Sequence, residues 1–85
     1  MMKTNGLTDF KCYPTINTSA ELNNFHKTGF VYIMASVLGV EGSVISHKIG
    51  DTRMIVQQFF AYNGSTRKVR IYNWSKDEWT EWSDF

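Results

Sequence analysis

The run RMIVQQFFAYNGSTRKVRIYNW, Arg53 to Trp74, constrains the fold more than any other part of the chain. Two stretches rich in β-branched and aromatic residues flank Asn63-Gly64, a dipeptide that supplies the positive backbone angles of a hairpin turn. The first stretch, Arg53 to Tyr62, carries β-formers on both faces, as in a strand that is central or covered on both sides. The second, Arg67 to Trp74, alternates: Val69 and Ile71 point one way, Lys68, Arg70 and Tyr72 the other.

The rest of the chain extends this pattern. Phe30 to Ala35 and Ser43 to Ile49 have strand composition, and SKDE (Ser75 to Glu78) reads as a polar turn with room for one short strand after it, Trp79 to Trp82. The helix candidate is Thr18 to Phe25, where Thr18 and Glu21 form a capping box and Leu22 and Phe25 share a face. Residues 1–17, with Gly6 and Pro14, read as an irregular lead-in, and residues 18–85 as the folded domain. The expected class is mainly β, a small α+β fold: an antiparallel meander of about five strands with one short N-terminal helix.

A chain of 85 residues forms one small domain, burying only roughly 60% of the surface its unfolded form exposes. Thirteen aromatic residues exceed what one such core requires, so some are expected on the surface or at an interface. A net charge of +1 gives no field able to recruit nucleic acid or membrane by itself. The longest apolar run, Phe30 to Val40, is about half of the ~20 residues a membrane span needs, and MMKTNGLTDF has no apolar leader core. Neither membrane insertion nor a secretory leader is expected.

The lone Cys12 rules out a disulfide framework and reads as an inert, partly buried thiol. Cys12, His26 and His47 have no metal-ligand spacing, so no metal, cofactor or catalytic site is assigned, and both histidines read as solvent-facing or edge residues. Asp77, Glu78, Glu81 and Asp84 are too near a turn for a glycosidase cleft and read as solvated edge charges. Arg53, Arg67, Lys68 and Arg70, interleaved with Tyr62, Tyr72 and Trp74, have the ingredients of a single-strand nucleic-acid platform. The balanced charge and the acidic tail argue against that partner.

All three tryptophans lie within Trp74 to Trp82. Trp79 and Trp82, three apart, point to opposite faces of a regular strand, so both are buried only if the strand bends or a second chain covers one.

ELNNFHKTGFVYI (Glu21 to Ile33) resembles the opening of the phage tail-fibre and pyocin knob domain, D-L-N-x-x-x-x-x-G-x-Y-x-V. VQQFFAYNGSTRKVRIYNWSKDEWTEW (Val56 to Trp82) resembles that family's ending: a Gln-bearing strand, a turn, a Y-V-R strand, a polar turn and W-x-x-W. The matching positions are Leu22, Asn23, Gly29, Tyr32, Gln57 or Gln58, Val69, Arg70, Trp79 and Trp82, spanning roughly residues 20–82.

The resemblance implies a non-enzymatic part of a virion, at the tip of a tail fibre assembled in the bacterial host cytoplasm. It implies trimeric assembly, contact with other tail proteins, and binding to a host-surface glycan or protein. The alternatives are a tail or baseplate oligomerisation module that touches no receptor and, from another class, a single-stranded nucleic-acid binder. Trp74, Tyr72, Arg70, Lys68 and Tyr62 are the expected contact residues, Trp74 foremost because it sits at a strand end beside a turn. Trp79, Trp82, Gly29 and Tyr32 are expected to be structural, with the two indoles locking the last strand from opposite faces and Arg70 stacking on an indole or pairing with Glu81.

Overall fold

The computed structural model describes residues 11–49 and 54–85. Residues 1–10 of the expected lead-in and Arg53 lie outside the described residues. The elements are β1 (Lys11–Ile16), α1 (Ser19–Asn23), β2 (Gly29–Ile33), α2 (Ala35–Leu38), β3 (Gly42–Lys48), β4 (Met54–Ala61), β5 (Arg67–Asn73), β6 (Glu78–Trp79) and β7 (Ser83–Asp84). They form one mixed sheet in the order β1-β2-β3-β4-β5-β6, with β7 also paired to β5. The fold is mainly β, a small α+β domain.

Two features depart from a plain antiparallel meander. Lys11–Ile16, expected to be irregular, is an edge strand running parallel to β2. Its register slips between Tyr13 and Ile16, around Pro14, which an edge strand tolerates because one side of its backbone needs no ladder partner. A second short helix, α2, follows β2 and ends at Gly39 in the left-handed conformation (φ 88°).

The helix α1 begins as the capping box dictates. Thr18 Oγ1 accepts from the Glu21 amide at 3.1 Å, and Glu21 Oε1 accepts from the Thr18 amide at 3.1 Å. This cap sets the helix across the sheet, where Leu22 and the following Phe25 are buried beside Val31, Ile33, Val44 and Phe59. Val37, Leu38 and Val40 extend the same cover. In the hairpin, only Gly64 adopts a positive φ (75°), and the Asn63 side chain instead accepts from the Ser65 amide at 3.0 Å.

One face of the sheet is therefore roofed by helices and the C-terminal segment, and the other is open. Phe30, Tyr32, Met54 and Ile71 on the open face are each 36–37% exposed. Tyr32, expected to be structural, lies on this face and donates from its hydroxyl to Glu41 Oε1 at 2.5 Å. Gly29 is buried where β2 meets β1, and a Cβ there would stand 2.4 Å from the Lys11 carbonyl and 2.7 Å from the Tyr13 ring.

The alternation of β5 is as expected, but its burial is inverted. Arg70 and Tyr72 face the roofed side, each 6% exposed, while Ile71 faces the open side. The polar residue is admitted to the core because the strands bring Gly29, Ser46, Gln57 and Arg70 into one row across β2 to β5. Gln57, fully buried, donates to the Phe25 carbonyl at 3.0 Å and accepts from Arg70 Nε at 3.0 Å. Every buried side-chain polar atom among the described residues has a partner.

Candidate functional site

The C-terminal segment explains how two indoles three positions apart reach one guanidinium. Tyr72 pairs with Trp79 and Val69 with Ser83, so three steps along β5 face four steps along the last segment. The extra residue is a bulge, and it inverts the alternation between Trp79 and Trp82. Thr80 keeps the edge continuous: its amide donates to the Ile71 carbonyl at 2.8 Å and its hydroxyl accepts from the Ile71 amide at 3.0 Å. Both indoles consequently lie on the roofed side, rather than on opposite faces.

Arg70 lies over both of them, its guanidinium carbon 3.9 Å from the Trp79 ring centre and 4.6 Å from that of Trp82. Its nitrogens donate to Gln57 Oε1, to Asn23 Oδ1 at 2.8 Å and to the Leu22 carbonyl at 3.3 Å. All three acceptors are neutral, and Glu81 is not among them. Burial lowers this guanidinium to about 10, so it remains charged at neutral pH.

Beyond this clamp the rings continue outward. Tyr72 stands 5.0 Å from Trp79 and 5.9 Å from Trp74, and His26 lies 4.5 Å from Tyr72 and 5.9 Å from Trp79. Trp74, in the turn after β5, is 39% exposed, and the Lys48 ammonium rests 5.6 Å from its ring centre. His26, Tyr72 and Trp79 line a surface depression of about 210 Å³ together with Asn23 and Asn24 from the α1 end and Asp77 and Glu78 from the turn. Asp77 holds a positive φ (54°), which aims this turn, and it accepts the Tyr72 hydroxyl proton bond.

That bond to Asp77 raises the Tyr72 phenol above its ordinary value of 10.0, with burial acting in the same direction. A raised folded-state value means that the contribution to stability is complete below about pH 10 and is lost as pH rises through the folded-state value. The stability difference between the protein and Tyr72→Phe is therefore expected to shrink above about pH 10. Urea unfolding over an alkaline pH series checks this, and a difference that stays constant or grows refutes it. Arg70 titrates in both proteins, so it drops out of the comparison.

The expected contact residues divide between the two ends of β5. Trp74 stands beside the depression, against the His26 and Tyr72 rings that line it. Tyr62, 68% exposed, and Lys68, paired with Asp84 Oδ1 at 2.9 Å, lie toward the hairpin end. Arg70 and Tyr72, expected in contact with a receptor, are buried supports of the site because their face of β5 is the roofed one. The same inversion buries Arg70 and Tyr72, two members of the basic-aromatic set.

His26, read as solvent-facing or at an edge, is half-buried among rings, and His47 is half-buried on β3, an interior strand. Asp77 and Glu78, read as solvated turn charges, line the depression. Cys12, expected to be partly buried, is exposed on β1. Among the described residues no group of three or more His, Cys, Asp or Glu is placed to hold a metal ion, and no helix is long and apolar enough to cross a membrane.

Compared with known protein families, with curated proteins and with solved structures, the chain matches nothing.

Proposed function

We propose that this chain is a non-enzymatic host-surface attachment domain of a phage or prophage tail fibre, carried in the virion. The observation that carries the binding role is the ring-lined depression beside the exposed Trp74, with amides and carboxylates around it. Indole and phenol surfaces stack on the apolar face of a sugar ring, and side-chain amides and carboxylates bond its hydroxyls. The virion assignment rests on the resemblance of residues roughly 20–82 to the knob domains. A shallow site of this size binds weakly alone and gains strength from several copies acting together.

A second reading, a tail or baseplate assembly module, is favoured by the open sheet face, where Tyr32, Met54 and Ile71 present apolar surface. The two readings are compatible if that face joins copies or other tail proteins while the depression faces outward.

Retention of the purified protein on bacterial cells or on isolated wall polysaccharide tests the attachment reading. Trp74→Ala is expected to weaken retention by about tenfold or more, as for an aromatic anchor at a contact surface, with the unfolding midpoint little changed. Undiminished retention in that variant, or no retention of the protein on any bacterial surface, overturns it.

A further inference from the structure

The depression is short of donors and rich in acceptors. Trp79 Nε1 donates to the Asn23 carbonyl at 3.0 Å, and His26 Nε2, 3.0 Å from the same carbonyl, donates to it because a carbonyl only accepts. The Tyr72 hydroxyl donates to Asp77. All three ring donors are thus spent inside the protein. What remains toward the depression is the second Asp77 oxygen, the Glu78 carboxylate, the other nitrogen of the His26 ring and the side-chain NH2 groups of Asn23 and Asn24. Among the described residues neither the Glu78 carboxylate nor the Asn24 side-chain amide has a hydrogen-bond partner, and no lysine or arginine lines the site.

Two carboxylates and three ring surfaces select for positive charge. Arg70, over the Trp79 ring, offsets one of those negative charges, but it is buried and three of its five N–H groups bond inside the protein. The cluster already draws an ammonium from its own chain: Lys48 Nζ lies over Trp74.

We infer that the depression recognises a sugar carrying a free, protonated amine, the chemistry of a de-N-acetylated amino-sugar polymer. The ammonium meets Glu78 and Asp77, the ring hydroxyls donate to the leftover oxygens, and the side-chain NH2 groups of Asn23 and Asn24 supply donors. An N-acetylated sugar replaces the cation with a neutral amide, and an anionic sugar meets like charge. This assignment rests on the surface-binding reading above.

The test titrates the isotope-labelled full chain with a glucosamine oligomer, the same oligomer fully N-acetylated, and an oligolysine, reading amide and indole signals by NMR. Work at about pH 7 keeps most of an amine of pKa ~8 protonated while staying above the ordinary imidazole value of ~6.5. The glucosamine oligomer is expected to shift the Trp74 and Trp79 indole signals and to bind about tenfold more tightly than the acetylated one. Added salt is expected to weaken it, and Glu78→Gln to remove most of the preference. Equal or tighter binding of the acetylated oligomer, an unchanged preference in Glu78→Gln, stronger binding of oligolysine, or no shift at millimolar ligand each overturns the assignment. Retention on bacterial cells is measured beside it. Retention without amine preference removes the ligand class alone, whereas loss of both removes the attachment reading as well.

Discussion

Replacing Arg70 with Ala is expected to destabilise the fold by about 3–5 kcal/mol, combining lost desolvated cation–π contacts with a buried amide oxygen left unpaired. Gln57 Oε1 loses its guanidinium donor, the Leu22 carbonyl keeps only the Phe25 amide, and the Trp79 and Trp82 rings lose the group that they cover. A domain of this size has total stability near the low end of the usual ~5–15 kcal/mol, so the variant is expected to be mostly unfolded under mild denaturant. Arg70→Lys is expected to recover only part of the loss, because an ammonium can neither spread flat across an indole nor reach three separated acceptors with a rigid fork. Urea unfolding followed by tryptophan fluorescence reads these values, and a double-mutant cycle with Trp79→Ala reads the coupling. An Arg70→Ala protein within about 1 kcal/mol of the parent would show the clamp to be incidental.

Gly42→Ala is expected to cost about 3 kcal/mol, at the upper end of overpacking penalties. A Cβ at Gly42 would stand 2.2 Å from the Phe60 carbonyl oxygen and 2.8 Å from both Ala61 Cα and the buried Phe59 ring. Two of these three neighbours are backbone of β4, so relief requires parting the β3–β4 ladder at its first pair, Gly42 with Ala61. Gly64→Ala provides the comparison. It has open space around the would-be Cβ and only an unfavourable φ of 75°, which costs about 1–2 kcal/mol. Thermal or urea unfolding of both variants checks the order, and a Gly42→Ala protein more stable than Gly64→Ala contradicts the close approach of the strands.

Much of the local structure was legible before any fold was known. The capping box of Thr18 and Glu21, the strand runs on either side of Asn63-Gly64 and the turn at SKDE each depend on neighbours a few residues away. The strand β1 escaped because its stabilising partner, β2, is remote in sequence and its composition includes Pro14. Gly42 escaped for a similar reason. Nothing beside it in the chain reveals that Phe60 and Ala61 will press against it.

The site was half legible. The concentration of tryptophan in the last segment marked the right region, and Trp74 stands where a strand end meets a turn. The depression itself joins Asn23, Asn24 and His26 to Tyr72 and Trp79, residues about fifty positions apart, and the two carboxylates acquire meaning only from that meeting.

By itself the sequence determined which residues of each strand lie together, because a side-chain period of two follows from the pleat alone. It also determined where the chain turns and where a helix can start, through residues that bond their own neighbours. Only the tertiary structure decided which side of β5 is interior. A guanidinium becomes acceptable there because rings and neutral oxygens gathered from α1, β4 and the last segment replace the water it gives up. The tertiary structure also decided the side taken by Trp82, since one extra residue opposite β5 reverses every later side chain, and that residue is counted only against a partner strand.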